Sequence, residues 1–169
     1  MATLPEITAL LGEPEFNWSD PTPWEELGVG FPADFREIVD AYGSVLVNNQ
    51  LYLNHPAPHL LHNLGKDLKL DLDLWREEDM AEYLPSPAGT NPGELIPVAS
   101  ATTGEAIFLR VPDGPADPWR VLVQEFDSPA WTLYEMTFGD WLLAYLKGRD
   151  VTLCSRNRAP DGPYWEFLP

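Results

Sequence analysis

Apolar positions recur along this chain with two different periods, and the switches between them mark out its elements. In "FPADFREIVDAYG", Phe31, Phe35, Ile38, Val39 and Tyr42 fall at helical spacing and Gly43 supplies a stop, which leaves Asp34, Arg36, Glu37 and Asp40 for the outer face. Residues 45–47 and 51–53 then read as two short strands joined at Asn48 and Asn49, which tolerate positive φ, although "VLVNNQLYL" also fits one kinked, extended strand. Upstream, residues 4–11 predict a helix with Pro5 in its first turn and Gly12 past its end. In "TPWEELG", Thr22 suits the cap, Pro23 the first helical position, Glu25 a capping box and Gly28 the end.

"HLLHNLGKDLKLDLDLW" carries both periods. Leu68, Leu70, Leu72 and Leu74 alternate like a strand, whereas Leu61, Leu64, Leu68, Leu72 and Trp75 form a longer helical stripe, and length and residue type favour the helix. A loop, "LPSPAGTNPG", separates this helical portion from "ELIPVAS", "EAIFLRV", "WRVLVQEF" and "WTLYEM", four strand candidates with turn-rich spacers that suit an antiparallel meander. "TFGDWLLAYLKG" closes the pattern with Thr137 as cap, Trp141, Leu142, Tyr145 and Leu146 on the buried side, and Gly148 as stop. The expected fold is α+β: a mainly antiparallel sheet of about four to six strands packed with helices. Phe35, Ile38, Val39, Leu46, Leu51, Ile107, Leu109, Val121, Val123 and Leu142 are its expected shared core. The tail from 149 to 169 can add an edge strand but has no firm pattern.

Length and charge narrow the options. A chain of 169 residues that is 44% hydrophobic fits one domain over 1–169 with its own core. Its net charge of −17 disfavours direct contact with nucleic acid or an anionic membrane and favours a basic partner. The acidity is uneven: residues 1–85 hold 16 Asp/Glu against 4 Lys/Arg, and residues 86–169 hold 11 against 6. A single cysteine, Cys154, excludes an intrachain disulfide and reads as a partly buried structural thiol. With no signal-peptide pattern and no apolar run long enough to span a bilayer, the expected location is the reducing cytoplasm.

Candidate chemistry is sparse. His55, His59 and His62 lie close together, with His59 and His62 at helical spacing, but prolines interrupt them and no carboxylate signature accompanies them, so neither metal nor cofactor is expected. There is no phosphate-cradling glycine loop and no nucleophile elbow. The densest feature is "DLDLWREEDMAE", where Asp71, Asp73, Glu77, Glu78, Asp79 and Glu82 surround Arg76; such a run is either a solvated helix face or a recognition surface. Seven tryptophans, Trp24 among them, supply candidate core residues or interface anchors.

The order of "WEELGVGFPADFREIVDAYGSVLVNNQLYLNHP", "LIPVASATTGEAIFLRV" and "FGDWLLAYLKG", over about residues 18–148, resembles the SUKH superfamily, named after yeast cell-wall regulators and bacterial immunity proteins. The marks are Trp24 with Glu25 and Glu26, the "FPADF" helix start, Tyr42-Gly43, "LYL" followed by Pro56, the Gly104-Glu105 turn and the final helix ending at Gly148. "VLVNN" departs from the glycine-rich turn common in that family. The resemblance implies a non-enzymatic immunity protein that binds and neutralises a cognate toxin domain of a polymorphic or contact-dependent system. Many such toxins are basic nucleases or other nucleic-acid-modifying enzymes. A regulatory protein-interaction scaffold is the alternative, and a small metal-dependent enzyme using the histidines ranks last. Trp24, Glu25 and Glu26 are partner-facing on the resemblance and their acidity; Asp71, Asp73, Glu77, Glu78 and Asp79 are so on charge density alone.

Overall fold

A computed structural model describes residues 2–15, 17–125 and 128–169. In chain order the elements are α1 (Leu4–Leu11), α2 (Thr22–Leu27), α3 (Ala33–Tyr42), β1 (Val45–Val47), β2 (Leu51–Leu53), α4 (Leu64–Arg76) and α5 (Glu78–Ala81). After these come β3 (Leu95–Ala101), β4 (Ala106–Arg110), β5 (Arg120–Gln124), β6 (Trp131–Tyr134), α6 (Phe138–Leu146) and β7 (Trp165–Phe167). The fold is α+β. All seven strands join one antiparallel sheet in the order β6-β5-β4-β3-β2-β1-β7, so that β2–β3 pairing ties the two halves of the chain together.

Local chemistry explains most boundaries. The β1–β2 hairpin forms, with Asn48 at φ 55° and Asn49 at φ 53° in its turn, where a β-branched residue would be strained. The Thr137 side chain caps α6 by accepting the Asp140 N–H at 3.2 Å. Two helix starts differ from expectation. Thr22 is already helical: Pro21 holds the cap position without a side-chain cap, and Asp20 accepts the Thr22 N–H at 2.9 Å. α4 begins at Leu64, since the Asn63 side chain caps it by accepting the Lys66 N–H at 3.1 Å; Leu61 is left outside and 82% exposed, and His59 and His62 do not share a helix. The third meander strand ends at Gln124, and Phe126 of the expected segment lies outside the described residues.

The sheet has more strands than expected because the tail returns as β7 on the outer edge of β1, with Val45 opposite Phe167 and Val47 opposite Trp165. Helices also cover both of its faces. Val45, Val47, Leu51, Leu53, Ile107, Leu109, Val121 and Val123 point to one side and bury against α1, α3 and α6 in the main core. Phe108, Leu122 and Leu95 pack with Trp75 of α4 in a second, smaller cluster. Leu46 is buried but absent from the main core, since strand alternation turns it away from Val45 and Val47.

On α3, Glu37 alone of the four expected outer residues is fully exposed. Asp34 accepts the Gly139 N–H of α6 at 2.8 Å. Asp40 accepts both the Trp24 indole N–H at 2.8 Å and the His55 Nε2–H at 2.8 Å. The tautomer of His55 follows from its other nitrogen, Nδ1, which accepts the Ala57 N–H at 3.0 Å. Trp18 stacks on the same imidazole with centroids 4.6 Å apart. Burial lowers the His55 pKa, and the Asp40 hydrogen bond opposes this in part. A neutral buried histidine contributes stability above its usual value of 6.5, and that contribution is lost as pH falls through the acid range.

Two substitutions test this core by urea denaturation. Leu109 is fully buried, and Leu109→Ala is expected to cost about 2–5 kcal/mol. Asp40→Ala strands two buried donors and is expected to cost about 2–5 kcal/mol, whereas Asp40→Asn keeps an acceptor oxygen and costs less; equal losses would show that the shared acceptor is unimportant.

Candidate functional site

The acidic run folds into the corner between α4 and α5. Glu77 is extended, at φ −60° and ψ 142°, so it ends α4 and caps α5 at once. Asp73, Glu77, Glu78, Asp79 and Glu82 are all exposed there. Glu78 and Asp79 occupy the first turn of α5, where helix N-termini favour carboxylates; Asp73 and Glu77 stand at the opposite pole of α4, where the helix dipole disfavours them. Arg76 donates from Nε to the Ala88 carbonyl at 3.2 Å. Leu70 and Leu74 project from the same helix, 67% and 39% exposed, so apolar surface lies among the charges.

Beneath this corner α4 leans on β3 and leaves a cavity of about 260 Å³ lined by Asp71, Leu74, Trp75, Pro97, Ala101 and Glu105. Two carboxylates thus share a concavity with apolar walls. Asp71 is half-buried, and burial, helped by the charge of Asp67, pushes its pKa up to about 6. Asp67 accepts from the Asn54 amide at 2.5 Å, and the Thr103 hydroxyl donates to Glu105. Such a site can take a cation whose aliphatic stem lies along Leu74 and Trp75 while its charged end meets Asp71 and Glu105.

The expected site residues separate in space and in exposure. Trp24 is 3% exposed, packed edge-on against Phe31 and Phe35 and bonded to Asp40, so it is a core residue and the expectation that it faces a partner is corrected. Glu25 and Glu26 are exposed on α2. That helix meets α4 at its other end, where Leu27 would stand 3.0 Å from a Cβ placed at Gly65; eight residues of helix, roughly 12 Å, separate this point from Asp73. Asp71 lines the cavity, while Asp73, Glu77, Glu78 and Asp79 are exposed on α4 and α5 and do not line it. Glu105 belongs to the cavity and was legible only as part of a Gly-Glu turn.

The histidines have other work. Both ring nitrogens of His55 are engaged, His59 leans on Trp18 at 5.3 Å, and His62 stacks on Tyr52 at 5.9 Å. Among the described residues no group of three or more His, Cys, Asp or Glu is arranged to hold a metal. Cys154 is exposed, not partly buried, because it lies in the irregular segment after α6 while its neighbours Leu153 and Ser155 turn inward. Among the described residues no helix is long and apolar enough to cross a membrane.

Asp71 gives a pH signature. With a folded pKa of about 6 against a usual 3.8, the folded state holds its proton more tightly, so wild-type stability falls as pH rises through that window. Asp71→Asn is expected to stabilise the protein by about 1–2 kcal/mol at pH 7, after allowance for solvent screening, and by nothing near pH 4. Chemical denaturation at both pH values checks this, and identical profiles would remove the desolvated carboxyl. No family model, no curated protein and no solved structure matches this chain.

Proposed function

We propose that this chain is a non-enzymatic immunity protein of the SUKH type, which binds a cognate toxin domain through the α4–α5 corner and neutralises it. The observation that carries the reading is the pairing of exposed Asp73, Glu77, Glu78 and Asp79 with exposed Leu70 and Leu74 beside a cavity holding Asp71 and Glu105. A merely solubilising face needs charge alone; exposed leucines around a concave, doubly acidic site add the apolar contact and the pocket from which interface anchors are built. The complementary partner presents a lysine or arginine to the cavity and a basic surface to the corner, as nucleases and other nucleic-acid-modifying enzymes do in order to hold phosphates.

Long-range attraction by the acidic face speeds encounter and Asp71 with Glu105 holds the inserted cation, so rate and lifetime of the complex are set by different residues. The cost of keeping Asp71 half-buried and ionised at neutral pH is offset only when a cation arrives. Localisation in the cytoplasm of the toxin-producing cell and the absence of a cofactor belong to the same proposal.

The test is the toxin domain encoded beside this chain, co-expressed and then purified for kinetics. Reversing Glu77, Glu78 and Asp79 to lysine is expected to leave stability within about 0.5 kcal/mol and the circular dichroism unchanged. Association should slow, protection of toxin-carrying cells should weaken, and added salt should narrow the difference in rate from wild type. Unchanged rates at low and high salt would place the interface elsewhere; binding without protection would favour a regulatory scaffold.

A further inference from the structure

Four of the ten Lys/Arg residues, Lys147, Arg149, Arg156 and Arg158, fall within twelve positions that contain one acid, Asp150, in a chain whose net charge is −17. All four are exposed, and among the described residues none forms an ion pair. Arg110 and Arg120, by contrast, are tied to Asp113, Asp117 and Glu135 across the meander. A helix C-terminus attracts cations, which accounts for Lys147 and Arg149 at the end of α6. It does not account for Arg156 and Arg158. The last carbonyls of α6, on Leu143, Ala144 and Tyr145, are moreover already capped by the backbone N–H groups of Lys147, Arg149 and Gly148.

Lys147, Arg156, Ser155 and Asn48 line one cavity of about 210 Å³. Ser155 is 3% exposed and Asn48 is fully buried. Among the described residues the Ser155 Oγ has no hydrogen-bond partner, at a position where an unmatched polar group is costly. The Asn48 side chain is committed elsewhere: its Oδ1 accepts the Tyr164 N–H at 3.0 Å and its amide bonds the Tyr145 hydroxyl. Arg156 is held as well: its stem lies over Gly148, where a Cβ would stand 2.8 Å from its Cγ and where φ is +76°. An ammonium, a guanidinium and a hydroxyl therefore line one cavity, a set made almost wholly of donors.

We propose that this cavity binds a phosphate group, free or as a small monoester, with Arg156 and Lys147 neutralising its charge and the Ser155 hydroxyl donating to one of its oxygens. A planar guanidinium meets two phosphate oxygens at once, and hydrogen bonds to a charged acceptor are the strong ones. The small volume suits a single phosphate-bearing unit, and the unsatisfied Ser155 hydroxyl finds its partner in it. This site is formed by the β1–β2 turn, the end of α6 and the segment leading to β7, and it stands or falls independently of the acidic corner on α4 and α5.

Calorimetry and amide chemical shifts, followed during titration of the intact chain with inorganic phosphate or a nucleoside monophosphate at constant ionic strength set by chloride, test the proposal. Saturable binding is expected, with shifts at Asn48, Gly148 and Ser155. Arg156→Gln and Lys147→Gln, both at exposed positions, should each weaken it about tenfold or more, and Ser155→Ala should weaken it with an unchanged fold. Equal affinity for the two probes assigns free phosphate, and tighter binding of the nucleotide assigns the ester. Shifts that grow linearly without saturation, or affinity unchanged in Arg156→Gln, would overturn the site and leave the four cations as simple relief of the chain's negative charge.

Discussion

Three chain segments meet on the carboxylate of Asp40. α3 supplies it, α2 sends Trp24 to one oxygen, and the segment after β2 sends His55 to the same oxygen, while the Asp40 carbonyl accepts the Trp18 N–H at 2.8 Å. His55 in turn organises the chain on its C-terminal side: its N–H donates to the Ser44 hydroxyl, its Nδ1 takes the Ala57 N–H, and its carbonyl accepts from Leu64 at the first residue of α4. The position of α4, and so of the acidic corner and its cavity, is inherited from the pairing of one partly buried carboxylate with one buried imidazole. A polar network in a core is stabilising only when every member is satisfied, and here each donor named has its acceptor.

Much of the fold was legible because the signals were local. The meander strands are short apolar runs set off by turn-rich spacers, α3 and α6 carry clean helical stripes, and Asn48 and Asn49 have the chemistry of a positive-φ turn. β7 was legible only as an edge strand that the tail could add, without position: "WEF" is three residues long and pairs with β1 more than a hundred positions away. Nor could periodicity show that helices would cover both faces of the sheet. A strand such as β5, with Val121, Leu122 and Val123 all buried, reads as continuously apolar, and which helix covers which face is decided by tertiary packing.

For the sites the dividing line is between charge and placement. Charge density pointed to Asp71–Asp79, and of these acids only Asp71 lines the cavity; Glu105 joins it from a different hairpin, which no local pattern could announce. Trp24 failed as an interface residue because tryptophan has an apolar body with one polar tip, a composition equally at home in a core where a carboxylate waits for its N–H. Asp34 and Asp40 failed in the same way, read as outward because they are acidic, when each holds a donor from another element. The phosphate-binding group escaped for a further reason: net charge averages over the molecule, and −17 conceals a positive pole at the far end of α6.

The pairing of β7 with β1 also bears on the order in which the molecule can be made. Val47 emerges early, yet its partner Trp165 is synthesised only after the whole meander and α6 have been completed. Throughout that interval β1 has β2 on one side and bare backbone donors and acceptors on the other, a template for whatever extended chain is near. Its temporary protection has to come from brevity, three residues between Ser44 and the Asn48 turn, and not from burial. On a polysome, where nascent copies of the same chain stand close together, an edge this short keeps a waiting sheet from becoming a shared one.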